Sequence, residues 1–512
     1  MISLVRGISV IRCLCVGLAA LLLSQAAFAA SWVQYKTQNF VIYSKAKDKH
    51  TRKLIEDLEA FRYFLLKFNG VETDETAVPL KLYIVGSQSN YEKLTDSETT
   101  AGKYKNARSG PIAVAIGQKK RWKFGSDPRE ILFHEYVHYI THQYSGRWFP
   151  KWYSEGFADY LSSFTYKDNK LTLGTQVMSR LPILQTTRKW ASFGEVMSAR
   201  TTRLKKGNSR EGTNLFYAQS WYLTHYLNHF PEFRPKIQVL LQAQADGVPA
   251  EDAVQSVLGV SVGELDKRLY ALWKSRKLSL TYVTVDASFD YDLEVRKLPK
   301  LEGKTIEAEI IANFNSTEKR EKKLLSALAK YPNSEKMKEI LAFNYAQQKE
   351  WQKGLDVLGD VDASSSIELR RAQALMLLYK NTENMSSQPD LHVPVLKKVR
   401  RALIKYINNN VYDVEGRYAY TFSYMNRVGL RDLPAKKKKV ILSNMELAHH
   451  WAPQRPDIGY WYAVLLKQLG RSGDACLVIK GVVDKLDLSP REVNQYKSYF
   501  GFAKNQPITC SS

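Results

Sequence analysis

The chain has 512 residues, of which 44% are hydrophobic and 12% aromatic, which excludes a generally disordered protein and allows two to four domains at about 100–200 residues each. Its formal charge of +24 suits acidic partners, anionic lipid heads or nucleic acid. The cations are scattered and no groove-reading motif appears, which argues against nucleic acid.

Residues 1–29 have the features of a secretory signal peptide. Arg6 and Arg12 form a positive start, Leu14 to Leu23 a short apolar run, and Ala27-Phe28-Ala29 an A-x-A cleavage site. The mature chain is expected to begin at Ala30, and no later stretch is apolar enough to span a bilayer. Cys476 and Cys510 then remain, as one disulfide or as two separate thiols. There is no CxxC motif and so no cysteine zinc cluster.

Asn39–Ser44 reads as a strand. Leu54, Leu58, Phe61, Leu65 and Phe68 mark one helical face, which Asn69-Gly70 ends. Pro79–Val85 and Pro111–Ile116 read as further strands. Asp127, Pro128 and Glu130 carry the signals of a helix start. The helix that follows is apolar nearly all round, hence buried.

That helix carries His134-Glu135-Tyr136-Val137-His138, an HExxH motif. Histidines at i and i+4 share one helical face and can reach one ion, and the glutamate between them can act on water. The motif alone is weak without a third ligand. His142 lies about 12 Å of helical rise from His134, too far to share an ion. Thr141 and Tyr144 occupy the positions where metzincins need glycine and histidine. Glu155 remains, on a second helix opened by Pro150, after a tight loop at Ser145-Gly146. Asp159 sits one turn beyond it. One carboxylate can bind metal while the other holds a ligand histidine in its tautomer.

The pair HEYVH and WYSEGFADY resembles the gluzincins, specifically the peptidase MA-like group of bacterial secreted proteins. The resemblance covers about residues 31–276. It implies a periplasmic or extracellular zinc metallopeptidase acting on peptides or proteins, binding one Zn2+ through His134, His138 and Glu155. Glu135 would be the general base and Asp159 the residue behind a ligand histidine. It also implies a mixed sheet packed on these helices, with an edge strand for extended substrate. Pro111–Ile116 is the run assigned to that strand, an internal strand being the alternative. Asn214–Leu227 looks similar to the helix after the active site in this group. Tyr217 is the candidate donor to the oxyanion, and His225 a second candidate.

Helices follow through residue 276, two of them near 249–257 and 262–276. Leu280–Val295 has a strand-like alternation and is taken to open a linker over 279–303. From 304 onward the pattern is helix after helix, with Lys436–Lys439 read as a solvated helix start. Leu341, Ala342, Tyr345, Gly354 and Leu358 follow offsets that Tyr462, Ala463, Leu466, Ala475 and Ile479 repeat. They resemble tetratricopeptide repeats, an irregular helical array being the alternative. Either arrangement offers a surface for a protein partner. The fold class expected is therefore α+β: a gluzincin-like peptidase domain over 30–278, then a helical domain over 304–512. The competing function is a partner-binding cell-envelope protein with an inactive or structural metal domain.

Overall fold

The computed structural model describes residues 31–510 apart from 69, 72–77, 99–101, 108–109, 118–127, 145–148, 205–208, 277–280, 285–289, 385–392, 426–429, 431, 486–487, 505 and 507. The expected leader, the Asp127 helix cap and the Ser145-Gly146 loop lie outside the described residues, as does the side chain of His142.

The fold is mixed α and β. Its centre is a six-stranded sheet built from β1 (Val33–Lys36), β2 (Phe40–Ser44), β3 (Leu80–Val85), β4 (Gly102–Ala107), β5 (Gly110–Ile116) and, from later in the chain, Glu294–Lys297. Strands β2, β3 and β5 run parallel, while β4 pairs antiparallel with β5 and β1 with β2. The sheet order is β4-β5-β3-β2-β1 followed by Glu294–Lys297.

This order corrects the expected substrate strand. Pro111–Ile116 lies inside the sheet between β4 and β3, and β4 forms the edge. The physical reason is burial on both faces. Ala113 and Ala115 face one core cluster, while Ile112 and Val114 face another. An unbroken apolar run of this kind belongs to an inner strand.

Helices cover both faces. On one side lie α1 (Asp48–Phe68), α3 (Pro128–Tyr144) and α4 (Lys151–Ser162), packed on Phe40, Ile42, Leu82 and Ile84. On the other lies α2 (Gln88–Thr95), with Tyr91 and Leu94 against Tyr83 and Val114. Next, α5 (Ser209–His229) packs on α4, followed by α6 (Ile237–Ala245) and α7 (Val262–Ser275). A smaller three-stranded sheet joins β6 (Thr165–Lys167), β7 (Lys170–Leu173) and β8 (Thr281–Thr284).

The segment expected as a linker is structural. Its first strand, β8, pairs with β7; its second, β9 (Glu294–Lys297), pairs with β1 from Val33↔Lys297 to Lys36↔Glu294. Helix α8 (Lys300–Phe314) then lays Ile306, Ile310 and Phe314 on the outer sheet face, beside Trp32 and Tyr83. The first helix of the later region therefore completes the core of the sheet.

The remaining helices are α9 (Thr317–Lys330), α10 (Glu335–Gln347), α11 (Trp351–Leu358), α12 (Ile367–Asn384), α13 (Val393–Asn409), α14 (Val414–Met425), α15 (Ala435–Trp451), α16 (Pro456–Gln468), α17 (Ser472–Lys485) and α18 (Pro490–Phe500). The two stretches with matching offsets are packed helix pairs, α10 with α11 and α16 with α17. Lys436–Lys439 open α15, as read. Cys476 and Cys510 form a disulfide that ties the last residues to α17. Among the described residues, no helix is long and apolar enough to cross a membrane.

Candidate metal centre

Helix α3 is fixed by what its apolar faces touch. Phe133 meets Phe61 at 4.6 Å between ring centroids, and Tyr136 meets Phe40 at 5.3 Å. Two phenols inside this core are satisfied: Tyr136 accepts from Arg62 Nη1 at 3.0 Å, and Tyr139 donates to the Val78 carbonyl at 2.6 Å. With those faces committed, His134 and His138 turn toward α4.

Helix α4 comes close because Gly156 allows it. A Cβ there would stand 2.2 Å from the Ser220 carbonyl oxygen and 2.4 Å from Thr224 Oγ1 on α5. Glu155 and Asp159, one turn apart, both face α3 and are both buried.

Three ligand-type atoms then converge. His134 Nε2 and His138 Nε2 are 3.1 Å apart, and Glu155 Oε2 lies 3.3 Å from the first and 3.2 Å from the second. Donors bound to one ion at about 2 Å in tetrahedral directions stand about 3.3 Å from each other. The spacing and chemistry of this set can hold a divalent metal ion. All three residues named as ligands from the sequence are brought together.

Asp159 stands behind the first ligand. Its Oδ1 is 2.8 Å from His134 Nδ1, so that ring nitrogen donates to the carboxylate and Nε2 is left for the shared point. Arg180 grips Asp159 with two bonds, Nε to Oδ2 at 2.7 Å and Nη2 to Oδ1 at 3.1 Å. Sequence reasoning missed Arg180. It lies in a turn before a short helix, where no periodicity or motif marks it.

Glu135, Tyr217 and Arg180 line a cleft of about 160 Å³ that also reaches His134 and Asp159. Tyr217 is partly buried and faces the Arg180 guanidinium, 4.7 Å from its ring centroid. The other oxyanion candidate goes elsewhere. His225 is buried with Nε2 3.2 Å from the Gly174 carbonyl oxygen and packs against Tyr160 and Trp221. Its place on the core face of α5 makes it a packing residue.

The carboxylates around the cluster favour positive charge at His134. Burial opposes a charged His134, yet Asp159, Glu155 and Glu135 outweigh it and hold the imidazole up at about 10. Burial likewise opposes ionised Glu155, but the two histidines keep it well below the usual carboxylate range. Asp159 is held low against its burial, chiefly by Arg180 and then by His134. Burial and the neighbouring Glu155 push the Tyr217 phenol up to about 12, so it keeps its proton at neutral pH.

No protein-family model, curated protein or solved structure matches this chain, so the site is described by its own geometry.

Proposed function

We propose that the chain is a secreted zinc metallopeptidase of the gluzincin type. The observation that carries this reading is the 3.1–3.3 Å triangle of His134 Nε2, His138 Nε2 and Glu155 Oε2, set beside a cleft that Glu135 enters. A complete HExxH also favours an active site over a structural one, because a structural site has no use for the glutamate.

Zinc, when bound by these three residues, supplies a Lewis acid that polarises a scissile carbonyl and acidifies water. The chain's own residues do the rest. Glu135 takes the proton of the attacking water and passes it to the leaving amine. Tyr217, protonated beside Arg180, donates its O–H to the oxygen that gains charge. Asp159 fixes the tautomer of His134, and Arg180 keeps Asp159 ionised. An extended peptide adds to the outer edge of β4, which has no strand partner among the described residues.

The test is made on the mature full-length chain. Atomic absorption is expected to give one zinc per chain, lost in His138→Ala. Glu135→Gln is expected to keep the metal and lose hydrolysis of a mixed peptide library. Full zinc in His138→Ala removes that ligand, and unchanged turnover in Glu135→Gln removes the general base.

A further inference from the structure

The later helices concentrate positive charge that the candidate metal centre does not use. Residues 393–440 hold twelve lysines and arginines against three acidic residues, a net +9 of the chain's +24 within 48 residues. Helix α13 alone carries Lys397, Lys398, Arg400, Arg401 and Lys405 and no acidic residue. Helix α15 opens on Lys436–Lys439.

The acids of this stretch are engaged elsewhere. Asp413 pairs with Arg371 and Glu415 with Arg455, which leaves Asp432 to offset the cations. Lys397, Lys398, Arg401, Lys405, Lys436 and Lys439 are all exposed, with no side-chain hydrogen bond or ion pair among the described residues. Lys397, Arg401 and Lys405 follow one another at single turns and form a stripe on α13, opposite its buried Leu396, Val399, Leu403 and Ile407.

The fold brings the two basic helices together at the end of α14. Arg400 Cζ, from α13, stands 3.7 Å from the Tyr424 ring centroid, and Lys437 Nζ, from α15, lies 5.3 Å from the same centroid. Arg400 Nε also donates to Ser423 Oγ at 3.1 Å, and Lys437 to the Tyr420 hydroxyl at 2.7 Å. Neither cation meets a carboxylate among the described residues. Val393 and Val440, 43% and 37% exposed, stand near the starts of the same two helices. Like charges gathered without counter-charge repel one another, and an anionic surface relieves them.

We propose that this end of the helical array docks on an anionic lipid surface, the exposed cations of α13 and α15 meeting phosphate headgroups and Val393 and Val440 entering the layer between them. Basic side chains with apolar ones among them are the pattern of a surface that lies on a membrane. A single-stranded nucleic acid needs free aromatic rings to stack on, whereas Tyr420 and Tyr424 are held by Lys437 and Arg400.

Co-sedimentation of the full-length mature chain with vesicles tests this. At about 0.1 M salt, vesicles with about 30% phosphatidylglycerol are expected to bind about tenfold or more tightly than phosphatidylcholine vesicles, and about 1 M salt to remove the difference. The combined variant Lys397→Gln, Lys398→Gln, Arg401→Gln, Lys405→Gln, Lys436→Gln and Lys439→Gln is expected to weaken binding about tenfold or more. Six exposed lysines outside the patch serve as the control: Lys47→Gln, Lys49→Gln, Lys170→Gln, Lys267→Gln, Lys322→Gln and Lys330→Gln together should leave binding within about threefold. All these side chains are exposed, so both variants keep the fold. Equal loss in the two variants overturns the proposal, since net charge alone would then carry the binding. Equal binding to phosphatidylcholine overturns it, as does release by inorganic phosphate at matched ionic strength, which would mark a site for the free ion. Val393→Ser with Val440→Ser is expected to weaken vesicle binding about threefold or more. Undiminished binding in that variant, or tighter binding of a DNA duplex, makes a polyanion the occupant and overturns the lipid assignment.

Discussion

Asp159 Oδ1 lies 2.8 Å from His134 Nδ1, and this contact decides which nitrogen His134 offers to Glu155 and His138. Asp159→Asn keeps the shape and removes the charge. The amide can then present its NH2 to the ring, which favours the wrong tautomer. Metal affinity is expected to fall by about ten- to a hundredfold, read by competition with a chromophoric chelator. An unchanged affinity would mean that Asp159 serves only to pair with Arg180.

Tyr217→Phe removes one hydroxyl from the cleft and leaves the ring on Arg180. If Tyr217 stabilises the oxyanion, kcat is expected to drop by about a hundred- to a thousandfold while KM stays near its original value. A loss confined to KM would make it a substrate-positioning group.

Gly156→Ala forces α4 and α5 apart, because the new methyl meets backbone as well as a side chain. Overpacking of this kind costs about 1–3 kcal/mol, so the midpoint of urea unfolding should fall. Glu155 shifts with the helix, so zinc content should fall as well. Wild-type midpoint and full metal together would show that the interface can yield at no cost.

Glu309 links the sheet to the later helices and gives a pH dependence remote from the candidate metal centre. Burial raises its pKa, but Lys81 and Lys336 overcome that and hold it at about 2, against an ordinary value of 4.5. A depressed carboxylate stabilises the fold fully above its unfolded value, and that contribution is lost as pH falls through the folded value. Stability should therefore decline from about pH 5 toward pH 2, by about 3 kcal/mol from this group. Glu309→Gln should flatten that limb of a urea-midpoint profile; an unchanged slope would assign the acid sensitivity to other groups.

Much of this was legible in the chain before any coordinates. The HExxH helix, the helix bearing Glu155 and the three parallel strands announce themselves through unbroken apolar runs and a motif of fixed spacing. Arg180 does not, because it is one of 75 basic residues and acts through a contact that only folding creates. Strand β9, Glu-Val-Arg-Lys, is exposed along its whole length, and only its first two residues fall within the strand-like run Leu280–Val295. Strand β4 is equally muted, with lysines at 103 and 105. The even choice between disulfide and free thiols for Cys476 and Cys510 turned on a spatial approach that spacing alone does not specify.

Strand β9 and helix α8 have a consequence for biogenesis. Until residue 297 has left the ribosome, β1 has no outer neighbour. Until residue 314 follows, Trp32, Tyr83, Val85 and Val114 lack the part of their cover that Ile306, Ile310 and Phe314 supply. A nascent chain halted near residue 278 would thus carry both helices of the candidate metal centre and still present a half-covered apolar sheet face, a natural grip for a holding chaperone.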